Sequence, residues 1–210
     1  MKYKLIIDKL RLLDKNIITK EELTKYLNIL NINYNSAINY LTNNNYLITM
    51  FRGIFYILSI EERAKKTINK NIFELLTKSL ELKKIDKWYF ALDTSLKINN
   101  IKHEYDNIIY IINNKLYRNK ILKINGYNIK IIKLKDNLFN FGINKNKYLK
   151  YSDIEKTVID IIYLDKYNSI NDKNILNKIN DLLSLCNKDK LIKYSKKYNK
   201  TTNKFIKENI

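Results

Sequence analysis

The sequence predicts an α+β protein, in which an N-terminal winged helix-turn-helix is followed by a mixed domain of helices and antiparallel strands. Three short helical patterns and then two apolar strand patterns fill residues 1–60. Alternating apolar residues typical of strands begin after residue 107, and helical spacing returns from residue 152. We therefore expect a DNA-binding domain over residues 1–60, a basic helical connector over 61–70 and an α+β domain over 71–210.

The first three helices are predicted from apolar spacing and from one clear start signal. The segment YKLIIDKLRLLD places Leu5, Ile6, Leu10 and Leu13 at helical spacing, and Asp14–Ile18 is a polar break. In TKEELTKYLNIL, Thr19 and a glutamate three residues later form a capping box. The third helix follows in NSAINYLTNNNY, and the asparagines after it end the helix.

The third helix has an outer face that is polar and uncharged. It comprises Ser36, Asn39, Tyr40 and Asn43, spaced three and four residues apart. Asparagine can bond adenine through two hydrogen bonds, and Ser or Tyr can bond a base edge or a phosphate. We therefore predict that this face reads bases in the major groove and favours sites containing A·T pairs.

Two strand patterns flank one of the three glycines in the chain. In YLITMFRGIFYILS, Gly53 suits the left-handed position of a three-residue hairpin loop, which places Arg52 at the tip. We expect this arginine and five other cations to contact the DNA backbone, because phosphate contacts position a protein without reading sequence. The predicted backbone contacts are Lys20, Lys25, Arg52, Arg63, Lys65 and Lys66.

Later elements are predicted in less detail. Ser59 and Glu62 form a second capping box, and an amphipathic helix follows in NIFELLTKSLELKKI. Strand patterns occupy NIIYIINNK, KILKINGYNIKIIKLK and NLFNFGI, and Asn125-Gly126 is a strong hairpin signal. Ser152 is the predicted cap of a long helix, and two more helices are expected at about 172–185 and 188–198.

The charge of the chain favours a polyanionic partner. The net charge is +19, and residues 61–150 hold 20 basic and nine acidic side chains, a net +11. An A·T-rich gene would by itself raise Lys, Asn, Ile and Tyr, so the position of the charge is more informative than its total. A single cysteine, Cys186, and the lack of any apolar run near the ~18 residues of a membrane span predict a cytoplasmic protein without a membrane association.

Enzymatic chemistry finds little support, so we expect no enzyme, no cofactor and no metal. One histidine, His103, excludes a two-histidine metal site, and Cys186 lies on the apolar side of a predicted helix. Phosphate-loop and dinucleotide fingerprints are absent from the sequence, and Ile131 stands where a metal-dependent nuclease would have an acid before Lys133. Asp160 is expected to be an ion-pair partner.

The layout resembles the AbiEi-like antitoxin and transcriptional-regulator family of type IV toxin–antitoxin systems. Three segments carry the resemblance: RGIFYI at the hairpin, YFALDTSLKINNI, and YSDIEKTVIDIIYLDKY, which is similar to a Ser-x-x-Glu-Arg-Thr-x-x-Asp helix of that family. The last match covers Ser152, Glu155, Lys156, Thr157 and Asp160. Asn100 departs from a usual glycine, and Lys156 departs from a usual arginine.

The resemblance implies a repressor of its own promoter that binds inverted repeats in double-stranded DNA. It also implies a C-terminal antitoxin domain and a nucleotidyltransferase-like toxin, linked in function without a stable complex. Two other hypotheses stay open. In the first, the basic C-terminal domain binds an acidic protein and the winged helix is only a scaffold. In the second, the basic C-terminal domain binds RNA through its exposed tyrosines.

Overall fold

The computed structural model describes residues 2–102 and 107–209 and divides into two compact units. The first comprises residues 1–86 together with 123–126, and the second comprises 87–122 and 127–210. The sequence predicts that residues 71–86 open the second domain, whereas the structure groups them with the first unit. Within the described residues, no helix has the length and apolar character needed to span a membrane.

The first unit follows the order helix, strand, helix, helix, strand, strand, helix, helix. These elements are α1 Lys2–Arg11, β1 Ile17–Thr19, α2 Lys20–Ile29, α3 Tyr34–Asn43, β2 Leu47–Phe51, β3 Ile54–Ile57, α4 Ile60–Lys65 and α5 Ile72–Leu82. Both predicted capping boxes are present: Thr19 with Glu22 begins α2, and Ser59 with Glu62 begins α4. The Tyr56 hydroxyl also donates to Glu62 at 2.7 Å, which anchors the start of α4 to β3.

A three-stranded antiparallel sheet holds the hairpin within the first unit. Its strand order is β1-β3-β2, so the hairpin pairs with the short strand that precedes α2. The sequence predicts only a polar break there, because three residues are too few to show alternation. The hairpin closes through a two-residue turn at Arg52–Gly53, rather than the predicted three, and an irregularity in the register lies between Thr49 and Phe51.

One face of each of the first three helices contributes to the core of the first unit. Its buried members include Ile6, Leu10, Leu23, Leu27 and Leu41. Leu5, which the spacing places on the inner face of α1, is 60% exposed instead. Ile7 is buried instead, so the adjacent residues Ile6 and Ile7 both face the core.

The second unit has five helices and most of a six-stranded sheet among its described residues; residues 123 and 124 of the edge strand β6 are grouped with the first unit. These elements are β4 Trp88–Phe90, α6 Leu92–Ile98, β5 Ile108–Asn113, β6 Leu122–Ile124, β7 Tyr127–Lys133, β8 Ile143–Asn146, β9 Leu149–Ser152, α7 Ile154–Tyr167, α8 Asp172–Leu183, α9 Lys188–Ser195 and α10 Lys200–Asn209, with a 3₁₀ helix at Asp136–Phe139. The strand order is β6-β7-β5-β4-β9-β8.

This sheet corrects the prediction of an antiparallel domain, because β5 pairs parallel with β7 and β4 pairs parallel with β9. β6 lies at the sheet edge, so β7 returns beside β5 in the same direction. The fold is therefore mixed α/β, with one antiparallel and one mixed sheet. The strand predicted in NLFNFGI is also wrong, since its first residues form the 3₁₀ helix.

The long helix α7 is central to the second unit. All eight residues of Glu155–Ile162 are buried, so this part of the helix is enclosed on every side. Its cap is Asp153, whose side chain accepts from the Lys156 amide at 2.8 Å. Ser152, the predicted cap, ends strand β9 and is fully buried.

Candidate nucleic-acid interface

The outer face of α3 presents the predicted polar residues to solvent. Asn33 caps the start of this helix, and its side chain accepts from the Ser36 amide at 3.1 Å. Ala37 and Leu41 are fully buried on the inner face. Ser36, Asn39 and Asn43 are exposed on the opposite face, and α3 has no charge in its first or last turn.

Tyr40, the fourth residue predicted to read bases, takes part in an aromatic stack inside the first unit. Its ring lies parallel to that of Tyr3 at a centroid distance of 4.2 Å and 6.3 Å from that of Tyr46. The Arg63 guanidinium lies 3.6 Å from the Tyr46 centroid and extends the stack. We call Tyr3, Tyr40, Tyr46 and Arg63 the aromatic stack; it fixes α3 against α1 and α4.

Arg63 therefore supports α3, although the sequence predicts it to contact phosphate. Besides stacking, it donates to the backbone carbonyl of Asn44 at 3.3 Å, just after α3 ends. Lys65 forms an exposed ion pair with Glu61 at 2.6 Å, and Lys66 is exposed with a left-handed φ of 54°. Exposed pairs of this kind are weak, so Lys65 can exchange its partner for a phosphate at small cost.

The hairpin tip lies beside the first turn of α2. The Lys20 amide donates to the Gly53 carbonyl at 2.8 Å, and Arg52 is exposed at the same turn. The Lys20 ammonium lies 5.1 Å from the Tyr34 ring centroid, at the start of α3. The structure thus brings Lys20 to the start of α3 and places the turn that carries Arg52 beside Lys20.

One acidic group belongs to the same neighbourhood. Glu21 is exposed, and hydrogen bonds to its carboxylate from the backbone and from Thr19 lower its pKa. Its charge weakens the attraction of this end for a phosphate. Lys25 is exposed further along α2 and adds a cation on that helix.

The second unit contains a buried polar cluster that the sequence explains only in part. Lys156 and Asp160, one helical turn apart on α7, are both fully buried, with Nζ and Oδ1 at 3.7 Å. The hydroxyls of Tyr89 and Tyr198 donate to the Asp160 carboxylate at 2.8 and 2.6 Å. Lys156 Nζ also donates to the Tyr198 hydroxyl at 2.9 Å. The expected ion pair of Asp160 is present, and the two tyrosines are its further partners.

Burial dominates the electrostatics of this cluster. It raises the pKa of the Asp160 carboxyl, against Lys156 and the two tyrosine hydroxyls, which act in the opposite sense. Burial likewise lowers the pKa of the Lys156 amine, against its attraction to Asp160. Because Lys156 Nζ also lies within 4.6–5.4 Å of the ring centroids of Tyr89, Phe141 and Tyr198, aromatic faces provide part of its solvation.

Three hydroxyls form a chain beside the ion pair. Thr157 Oγ1 lies 2.8 Å from both Ser95 Oγ and Ser152 Oγ, and it donates to the Asp153 carbonyl. These residues belong to the motifs that carry the family resemblance, and the structure shows that they connect α6, β9 and α7. Helical spacing alone could place Lys156 and Asp160 together, but nothing in the sequence indicated the partners of either from distant segments.

Among the residues that the structure describes, few groups are suited to metal binding or nucleophilic chemistry. In residues 2–102 and 107–209, no cluster of His, Cys, Asp and Glu could hold a metal ion; His103 lies outside those ranges. Burial raises the pKa of the Cys186 thiol to about 12, and its sulfur donates to the Leu182 carbonyl at 3.2 Å. A thiol with so high a pKa is a poor nucleophile at neutral pH.

Comparisons with known proteins give information on the fold alone. No protein-family model matches the chain. No curated protein matches it either. The structure is similar to the crystal structure of RV2827C protein from Mycobacterium tuberculosis, with a TM-score of 0.59 and 14% identity, over 99% of this chain and 75% of that one. At this identity the likeness shows a shared fold alone.

Proposed function

We propose that the first unit is a winged helix-turn-helix and that the protein is a DNA-binding transcriptional regulator. The observation that carries this proposal is the exposed, uncharged face of α3, with Lys20 at the start of that helix and Arg52 exposed on the neighbouring hairpin turn. The order of α1 to β3, with the hairpin paired to β1 in its own unit, fits a helix presented beside a two-stranded wing.

The cationic side chains and the polar face of α3 have different roles in DNA binding. Lys20, Lys25, Arg52, Lys65 and Lys66 supply the attraction to phosphates, which is independent of sequence. Ser36, Asn39 and Asn43 carry the base preference, because neutral donors and acceptors discriminate base edges while adding little general attraction. Tyr40 and Arg63 hold α3 in place through the aromatic stack.

The biological role we propose is that of a cytoplasmic, non-enzymatic AbiEi-like type IV antitoxin that represses its own promoter at inverted repeats. It would act against a nucleotidyltransferase-like toxin without forming a stable complex. The experiment is a gel shift of the full chain on the DNA upstream of its own gene, with random duplex of equal length as the control. Preference for the upstream DNA supports a regulator, and equal affinity for both duplexes contradicts it.

Arg52→Ala is expected to weaken binding to every duplex, because it removes one phosphate contact at the hairpin tip. The plot of log affinity against log salt should become shallower by about 0.9. Fluorescence anisotropy over a salt series measures both effects. Lys193→Ala, which removes one exposed charge from α9, is the matched control and should leave the slope unchanged. A parental slope for Arg52→Ala would remove the hairpin from the interface.

Asn39→Ala is expected to relax base preference at one position of the binding site. Losing a bidentate contact to a base costs about 1–3 kcal/mol at that position, while affinity for random duplex stays as in the parent. Selection of bound sequences from a random library reads out the preference. Asn180→Ala, an exposed asparagine on α8, is the control. Identical binding logos for Asn39→Ala and the parent would show that α3 does not face the bases.

A further inference from the structure

A basic, tyrosine-lined cleft lies entirely within the second unit, in a region that the DNA-binding proposal does not use. It has a volume of about 640 Å³, a size that suits a small organic ligand. Its walls come from β7, from the chain between β5 and β6, and from the C-terminal half of α7. The aromatic and basic side chains that line the cleft include Tyr117, Arg118, Lys130, Lys133, Lys135 and Tyr167.

The cations of the cleft are available to a ligand. Arg118, Lys133 and Lys135 are exposed, and none of them forms an ion pair with any residue that the structure describes. Lys130 is half-buried and donates to the Asn119 carbonyl at 2.8 Å. One acid lines the cleft, Asp136, and it already pairs with Lys87 at 2.9 Å. The cleft therefore has a clear excess of positive charge.

Two of the tyrosines in the cleft contribute little to the packing of the core. Tyr117 is 73% exposed and Tyr167 is 81% exposed, so neither ring contributes much to the core. Aromatic rings beside unpaired cations suit a ligand that has both a flat π-face and a negative charge. A nucleotide has both, since its base stacks on aromatic rings and its phosphate pairs with Lys or Arg.

We propose that this cleft binds unpaired nucleotides, with bases stacked on Tyr117 and Tyr167 and phosphates held by Lys133, Lys135 and Arg118. Bases in a duplex are stacked on each other and cannot lie against a side chain, so the cleft selects single strands or free nucleotides. The cleft shares no residue with the surface proposed to bind duplex DNA. The two sites can accordingly be tested, and can fail, independently.

The test uses the full chain and fluorescein-labelled U12 and dT12 oligonucleotides in anisotropy titrations. Tyr167→Ala should weaken binding by about 5- to 150-fold, the usual loss for removing one stacked base. Lys133→Gln should make the log–log salt dependence shallower by about 0.7. Circular dichroism checks that each variant is folded, and Tyr117→Ala provides a second loss of stacking at an exposed position.

Lys145→Gln, an exposed charge on β8 outside the cleft, is the matched control and should bind as the parent does. Displacement of U12 by UMP would identify free nucleotides as the ligand, and binding of the oligonucleotides alone would identify strands; both support the site. The proposal is overturned if neither probe binds, if Tyr167→Ala binds as the parent does, or if Lys145→Gln loses as much as Lys133→Gln.

Discussion

Asp160→Ala is expected to lower the free energy of unfolding by about 3–5 kcal/mol, which is the usual cost of removing one partner from a buried ion pair. The variant leaves the Lys156 ammonium without a counter-charge and leaves the hydroxyls of Tyr89 and Tyr198 without their acceptor. Urea unfolding followed by circular dichroism gives the value. Because the pair is fully buried, water cannot replace the lost carboxylate without repacking.

Glu208→Ala is the matched control for this prediction. Glu208 pairs with Lys204 at the same spacing of four residues, but both side chains are more than half exposed, at 58% and 74%. Its removal should change stability by less than about 0.5 kcal/mol, as for most exposed pairs. Equal losses in the two variants would show that burial is not what makes the Lys156–Asp160 pair important.

Asp160→Asn gives the same cluster a pH signature. The amide keeps an acceptor for the tyrosines but removes the charge, so burial lowers the pKa of Lys156 further below its ordinary value. A lysine in the unfolded chain keeps its proton up to about pH 10.4. Between these two pKa values the unfolded state binds more protons, so the stability of this variant should rise as pH rises towards 10. If the stability of this variant does not change over that pH range, Lys156 does not lose its proton when the variant folds, and the prediction is wrong.

Gly142→Ala is expected to cost about 2–4 kcal/mol of stability, through a steric clash and a strained backbone. A Cβ at Gly142 would lie 2.8 Å from Lys156 Cβ and 2.9 Å from Tyr194 Cε2, closer than packed carbon atoms allow. The φ of 61° is also unfavourable for alanine. The measurement is again urea unfolding.

Gly126→Ala separates the two causes. Gly126 has a φ of 85°, but a Cβ there would meet no atom within 4 Å. This control should therefore show the backbone cost alone, about 1 kcal/mol. If both alanine variants lose the same amount, the close approach of Gly142 to Lys156 does not contribute, and the packing described around the ion pair is looser than the structure indicates.

Local signals in the sequence predicted the first unit well. The boxes of Thr19 with Glu22 and Ser59 with Glu62 are local, because each joins residues three apart, and both are confirmed. The exposed face of α3 follows from helical spacing, and Ser36, Asn39 and Asn43 are indeed exposed. The sequence does not predict strand β1, because three residues carry no recognisable period. Helical spacing places Leu5 on the inner face of α1, where Ile7 is buried instead.

Long-range partners explain what the sequence could not predict. Tyr40 was assigned to DNA because helical spacing cannot show that Tyr3 and Tyr46 lie against its ring. The sequence predicts an ion pair for Asp160, yet the Tyr89 hydroxyl that also donates to it comes from 71 residues earlier in the chain. The parallel pairing of β5 with β7 depends on where β6 adds to the sheet. None of these arrangements leaves a mark in local periodicity.

The enclosure of α7 has a consequence for how the protein is made. Val158 and Ile159 pack in one cluster with Phe205 and Ile206 of α10, which follow 47 residues later in the chain. Before α10 has been synthesised, this cluster lacks Phe205 and Ile206, although α8 and α9 already supply Ile175, Ile179 and Leu191. The core of the second unit can therefore be completed only after α10 has been synthesised, and until then the nascent chain exposes apolar surface of the kind that promotes aggregation.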